Sequence, residues 1–305
     1  MRAGKQAAGP SPRTRIVAFG DIVNDIVAVP RAPVRRDTDT MSTIRPRPGG
    51  SAANTAAWLG SLGSQVDFVG CVGIADLEYH AQQLRAQGVV PHLSTAPGLP
   101  TSTIVILVEG EHRTMLTERG ASRALRAADL TDELLEQAAV VHLTGYTLVD
   151  GPRAAGMRDL IDRAHRAGAV VSLNPGSAGF IADFGPAEFV SAIDGVDIVV
   201  ANVHEAALLC DQTDAGRVAQ AMSDRYGLAV ITQGPDNVFV SERGTKPISV
   251  PVPQARIVDP TGAGDAMSAG FLHSWVADHD LARAAQAGIM VAARAVMVIG
   301  GRPVI

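Results

Sequence analysis

Seven consecutive residues, Asp259-Pro260-Thr261-Gly262-Ala263-Gly264-Asp265, join small positions to two carboxylates where an extended run gives way to a helix-period run. Pro260 disfavours helix at Asp259. From Gly262 onward Ala263, Met267, Gly270, Phe271 and Ser274 share one helical face. The first amides of a helix lack intrahelical partners and sit at the positive end of its dipole. Glycines there let an anion approach the backbone. Asp265 then has two open roles: capping those amides, or accepting a proton from a hydroxyl that attacks a phosphate held by them. Asn202 and Glu205 lie three apart at an expected helix start and share a face. An amide and a carboxylate so placed can hold water around Mg2+; a capping Asn with a dipole-favoured Glu is the other reading. Asp25 follows the first expected strand, at the carboxyl end where α/β proteins bind ligands. Asn54 follows Gly49 and Gly50, and a carboxylate with an amide suits vicinal hydroxyls while glycines permit backbone contact. Asn54 as a structural residue of a helix start is the alternative.

These residues need a scaffold, and the apolar runs supply one. Arg15–Phe19, Val66–Val69, Val140–Leu143, Ala169–Leu173, Asp197–Val200 and Ala229–Thr232 read as buried strands. Amphipathic stretches lie between several of them, among them Ala52–Leu62, Leu77–Gln87, Pro152–Ala167 and Val203–Leu209, and two apolar helices, about Gly262–Ala277 and Leu281–Val298, close the chain. This alternation predicts an α/β fold with a mostly parallel sheet sandwiched by helices. Residues 26–46 and 100–118 break the rhythm with strand-like pieces and no helix, the second reading as a hairpin around Gly110. Both are expected in a small β flap, or lid, on the main domain of residues 15–305, with residues 1–14 a disordered tail.

Composition narrows the chemistry. The chain of 305 residues is 47% hydrophobic and carries a formal net charge of -5. That balance offers no basic face for nucleic acid, and no apolar run reaches the length of a membrane span. Two cysteines, Cys71 and Cys210, make neither a disulfide framework nor a zinc site, which suits a reducing cytoplasm. His142, in an apolar strand, reads as a core residue. Only two lysines occur, Lys5 and Lys246. A Gly-Lys-Ser/Thr phosphate loop and the strand lysine of protein kinases are therefore both excluded. Phosphate handling would fall to backbone amides, a metal or arginine.

Asp259–Asp265 resembles a signature of the ribokinase-like, or phosphofructokinase B, carbohydrate kinases. Gly49–Asn54 running into Thr55–Gly63 resembles the other signature, and Gly20–Asp25, Asn202–Glu205 and Thr232–Gly234 fall in the family's order, so the likeness spans about residues 15–301. It implies a ribokinase-like fold and ATP-dependent phosphoryl transfer to a sugar hydroxyl. Asp265 would be the base and the amides of Gly262, Ala263 and Gly264 the anion hole. Asp25, Gly49, Gly50 and Asn54 would hold the sugar. Asn202 and Glu205 would organise Mg2+ and the ATP phosphates, with Thr232 and Gly234 beside the nucleotide. The family further implies a K+ site at Asp259 and Thr261 and a homodimer formed through the lid. Asp39 and Arg113, in the expected lid, are candidates for substrate contact, each with a solvated strand residue as its plainer reading. Three departures stand out: Asn237 where a second glycine is usual, Gln233, and a Gly73–Asp76 turn one residue longer than the family's. A nucleoside kinase of the same fold, and a non-catalytic sugar or nucleotide sensor, are the competing readings.

Overall fold

The computed structural model describes residues 13–109, 112–148 and 151–304. Nine strands, numbered in chain order, form the main sheet. In spatial order they are β13 (Ile248–Pro251), β12 (Asn237–Glu242), β11 (Leu228–Thr232), β10 (Ile198–Asn202), β9 (Val170–Asn174), β8 (Ala138–Thr144), β1 (Arg15–Phe19), β4 (Val66–Val72) and β5 (Val89–Thr95). From β11 to β5 every pairing is parallel; β12 and β13 add antiparallel at one edge. Side-chain alternation sends the sheet's apolar residues to two cores. Val17 and Phe19 of β1 join Leu143, Leu173 and Phe189 on one face, while Ile16 and Ala18 join Trp58, Phe68 and Phe271 on the other. Both faces are buried under helices, as a mostly parallel sheet requires. The expected α/β sandwich is the observed fold.

A second sheet of four strands, in the order β3 (Ser42–Gly49), β2 (Val23–Pro30), β6 (Ser102–Glu109) and β7 (His112–Glu118), stands apart from the first. Residues 26–46 and 100–118 lie largely within it, although the sheet begins at Val23 and β3 runs on to Gly49. β6 and β7 are an antiparallel hairpin, whereas β2 pairs with β6 in parallel, a long-range pairing that local patterning does not specify. Residues 1–12 of the expected tail lie outside the described residues. Arg13, also assigned to that tail, donates to the carbonyls of Glu136 (2.8 Å) and Ala167 (2.9 Å).

Helix ends fall where capping chemistry puts them. The expected helix Ala52–Leu62 runs over Ser51–Ser61, and its cap comes from a distant strand end: Asp21 accepts from the amides of Ser51 (2.7 Å) and Ala52 (3.1 Å). The two closing helices are Ala263–Asp278 and Leu281–Ala295, packed tightly together through Gly270 and Gly288. Arg256–Val258, expected to be extended, belongs to no strand, and the Val258 amide bonds the Val296 carbonyl. Among the described residues no helix is long and apolar enough to cross a membrane.

Candidate active site

A cavity of about 730 Å3 opens along the carboxyl ends of β1 and β8–β11, beneath the second sheet. That is the size of a pocket for a small organic ligand. Asp25, Gly50, Asn54, Asn202, Glu205, Thr232, Gly234, Thr261, Gly262, Ala263, Gly264 and Asp265, all singled out from sequence, line it. Gly49 and Asp259 do not line it: Gly49 packs against Asp25, and Asp259 accepts from the amides of Thr261 and Gly300.

Asp265 sits in the first turn of helix Ala263–Asp278 and is only 7% exposed. Its Oδ1 accepts from the Ser51 hydroxyl (2.6 Å) and its Oδ2 from the Asn54 amide (3.0 Å). Burial raises its pKa to about 7, against the lowering by those two hydrogen bonds. The carboxyl therefore sits near half-ionisation at neutral pH, where a proton acceptor works well. Gly262 precedes the helix at φ 75, and no side chain caps the helix. A Cβ on Gly262 would stand 2.6 Å from the Gly301 Cα, so only glycine allows this approach. Of the two roles open to Asp265, capping the amides is not the one seen: its side chain faces Ser51 and Asn54.

Asp25 is likewise buried, and its pKa is raised to about 7 by burial, with Arg302 pulling the other way. It packs so closely on Gly49 that any Cβ there would collide with its carboxylate. Arg302 was not anticipated. Its Nε donates to Asn54 Oδ1 (3.2 Å) and its Nη2 to the Gly49 carbonyl (2.8 Å). Because Arg302 takes the oxygen of the Asn54 amide, the amide nitrogen is turned to Asp265. Arg302 is 8% exposed, and its Nη1 has no hydrogen-bond partner among the described residues. Burial pushes its pKa down to about 10, with Asp25 the largest opposing influence. A lone arginine in Gly300-Gly301-Arg302-Pro303 gave no periodic signal; its charge within an apolar, glycine-rich stretch was the one available hint. Asp21, quoted only as part of a longer stretch, also matters: besides capping helix Ser51–Ser61 it accepts from the Thr144 hydroxyl (3.0 Å), tying β8 to that helix.

Asn202 and Glu205 form a reciprocal cap. Asn202 Oδ1 accepts from the Glu205 amide (2.9 Å) and Glu205 Oε2 from the Asn202 amide (3.0 Å). The plainer reading of this pair is thus realised, and both residues also face the cavity. Burial raises the Glu205 pKa to about 7. Thr232 and Gly234 line the cavity at the end of β11, and Asn174 and Ser177, which the sequence did not single out, line it at the end of β9.

Arg113 departs from its reading as a solvated strand residue. From β7 its Nη1 reaches Thr261 Oγ1 (2.6 Å) and Asp259 Oδ1 (3.2 Å). Asp259 further accepts from the amides of Thr261 and Gly300, each at 2.9 Å. The pair expected to hold a monovalent cation is therefore bridged by a guanidinium from the lid. Asp39 is exposed in the loop between β2 and β3, away from the cavity. His142 is buried, its Nδ1 3.1 Å from the Ser172 hydroxyl, as a core residue. No cluster of three acidic, histidine or cysteine side chains gathers among the described residues, so any Mg2+ here would rely on water and phosphate oxygens for most of its shell.

This geometry has close counterparts. Residues 13–304 match the model of the pfkB family carbohydrate kinases. The chain is 29% identical to an ATP-dependent ribose-1-phosphate kinase from Halopiger xanaduensis, over 88% of each chain. It is 27% identical to an adenosine kinase from Dictyostelium discoideum, over 79% of this chain and 76% of that one. The crystal structure of adenosine kinase from Sinorhizobium meliloti superposes with a TM-score of 0.86 at 28% identity, covering 96% of this chain and 97% of that one. With sequence, fold and the cavity at the strand ends in agreement, the chain belongs to the pfkB family of carbohydrate kinases and is an ATP-dependent kinase.

Proposed function

We propose that the chain transfers the γ-phosphoryl group of ATP to a hydroxyl of a sugar or sugar-like molecule, with Asp265 as the base. The observation that carries this is one buried carboxylate, poised near neutral pH, in the same helical turn as the Gly262–Gly264 backbone. The acceptor hydroxyl gives its proton to Asp265 as its oxygen bonds to the γ-phosphorus. The bond from that phosphorus to the β,γ-bridging oxygen breaks, and ADP leaves. Charge spread over the transferring group is met by the amides at the helix start. Asp25, Gly49, Gly50 and Asn54 hold the acceptor, with Arg302 fixing Gly49 and Asn54 in place. The ATP phosphates extend from the helix start towards Asn202, Thr232 and Gly234.

The donor set suits a hydrated Mg2+. Glu205 is a buried carboxylate, lines the cavity, and would return to its ionised form beside a cation. When bound, the ion neutralises phosphate charge. K+ has no part in this reading, because Arg113 already brings positive charge to Asp259.

Asp265→Asn tests the assignment. Turnover in a coupled ADP-release assay should fall by at least ~10²-fold, while ATP affinity measured by calorimetry stays within about twofold. Near-normal turnover removes Asp265 from the base role. A nucleoside acceptor is the second reading, drawn from the relatives named adenosine kinases and from the apolar residues Ile104, Ile106 and Met115 facing the cavity from the lid. Faster ADP release with adenosine than with any sugar would put it first.

A further inference from the structure

Positive charge enters the cavity from one segment. Arg113, Arg119 and Arg123, on β7 and just after it, all line it. Arg113 is committed to Asp259 and Thr261. The other two guanidinium groups are not committed: among the described residues neither has a hydrogen-bond or ion-pair partner. Arg119 lies over the rings of Phe180 and Tyr146, 5.3 and 6.0 Å from their centroids, which fixes its position without neutralising it. Arg123 stands at the junction with a second cavity of about 430 Å3, which shares Asp21, Ser122 and Tyr146 with the first.

Sheet order tells which substrate these arginines face. Thr232 and Gly234 follow β11, whereas Tyr146 follows β8 and Asp21 follows β1. From β11 to β8 there are three strand spacings, about 14 Å. The nucleotide end and Arg123 are thus on opposite sides of the transfer point, with Asp25 and Asn54 on the Arg123 side. The phosphates of ATP have their own partners at the other end. A neutral polyol would be served by Asp25, Asn54 and the glycines alone and would leave two cations facing it unpaired.

We infer that the acceptor is an anionic sugar derivative, one bearing a phosphate or carboxylate group, and that Arg123 and Arg119 grip that group away from the reacting hydroxyl. The inference rests on the kinase reading above and narrows its substrate. Arginine suits the task because its planar fork pairs with phosphate or carboxylate through two hydrogen bonds at once.

The test is steady-state ADP release with two sets of acceptors. Ribose, fructose and adenosine form the neutral set; ribose 1-phosphate, ribose 5-phosphate, fructose 6-phosphate and gluconate form the anionic set, in which gluconate separates a carboxylate from a phosphate preference. We expect kcat/KM for at least one anionic acceptor to exceed every neutral one by tenfold or more. Arg123→Ala, at an exposed position that folding tolerates, should raise KM for that acceptor by at least tenfold and leave KM for ATP within twofold; Arg119→Met should do the same. Equal or better turnover of the neutral set overturns the inference and leaves the kinase reading standing. So does a rise in KM for ATP in place of the acceptor's. No ADP release with any acceptor overturns the kinase reading, and this inference with it.

Discussion

Replacing Arg302 by methionine keeps much of the side chain's length and apolar stem while removing the fork that joins Asn54 to Gly49. Two charge-assisted hydrogen bonds disappear, at 3.2 and 2.8 Å, each of a kind that contributes roughly 1.5–3 kcal/mol. The better burial of a thioether offsets part of this, leaving a loss of about 3 kcal/mol, or roughly 6 °C in Tm for a chain of this size. The kinetic effect follows from which atoms are released. The Asn54 amide becomes free to turn, and its hydrogen bond to Asp265 is no longer enforced. Asp25 and Asp265 both lose a positive charge that favours their ionised forms. The acid limb of the kcat/KM profile should therefore move to higher pH, and KM for the acceptor should rise about tenfold, the equivalent of one such hydrogen bond. KM for ATP should stay unchanged, because Arg302 lies on the acceptor side. Arg302→Lys separates charge from geometry: it should restore the pH limb and leave the acceptor KM high, since an ammonium cannot span both oxygens. The assay is coupled ADP release from pH 5.5 to 9, with Tm recorded for each variant. A folded Arg302→Met protein with an unmoved acid limb and a wild-type acceptor KM would refute the reasoning.

The raised Asp265 pKa has a signature in stability. The folded state retains a proton that the unfolded chain releases from its ordinary value of 3.8 upward, so the native carboxyl costs stability as pH rises towards about 7. Asp265→Asn should therefore gain on the wild type by about 3 kcal/mol between pH 5 and 8, read as a widening Tm difference; a constant difference would contradict the burial argument. Gly262→Ala forces an L side chain into φ 75 with a Cβ 2.6 Å from the Gly301 backbone. It should cost about 2–3 kcal/mol of stability and lower kcat more than either KM, whereas unchanged kcat in a stable variant would remove this turn from the transfer step.

The sequence disclosed the frame through local signals. Buried parallel strands are near-continuous apolar runs, and helix faces repeat every three or four residues, so β1, β8 and the two closing helices were readable from their own residues. The Gly262–Asp265 turn was readable because its chemistry sits within a few residues. β5, β12 and β13 were not singled out: Val89–Thr95 is interrupted by Pro91 and His92, and the edge strands alternate with polar positions. Arg302 was out of reach for a different reason. Its meaning lies in contacts with Asn54 and Gly49, 248 and 253 residues away, and no local pattern encodes them. The same holds for Asp21 as a cap for another segment's helix, and for Arg113, whose partners lie 146 and 148 residues on. Spacing revealed the residues proposed to do the chemistry; those that hold others in place became visible only through the tertiary structure.

The bond between Asn54 and Asp265 spans 211 residues, and that between Ser51 and Asp265 spans 214. On the proposed reading, base, anion hole and acceptor floor thus come from segments far apart in the chain. On that reading, a growing chain that already holds the strands up to β11 has the nucleotide-side threonine and glycine and still lacks Asp265, the proposed base. The proposed site would be complete only once the segment from Asp259 to Arg302 has docked against Gly49–Asn54. Until then, on this reading, a nascent chain that meets ATP would lack the group proposed to start the transfer.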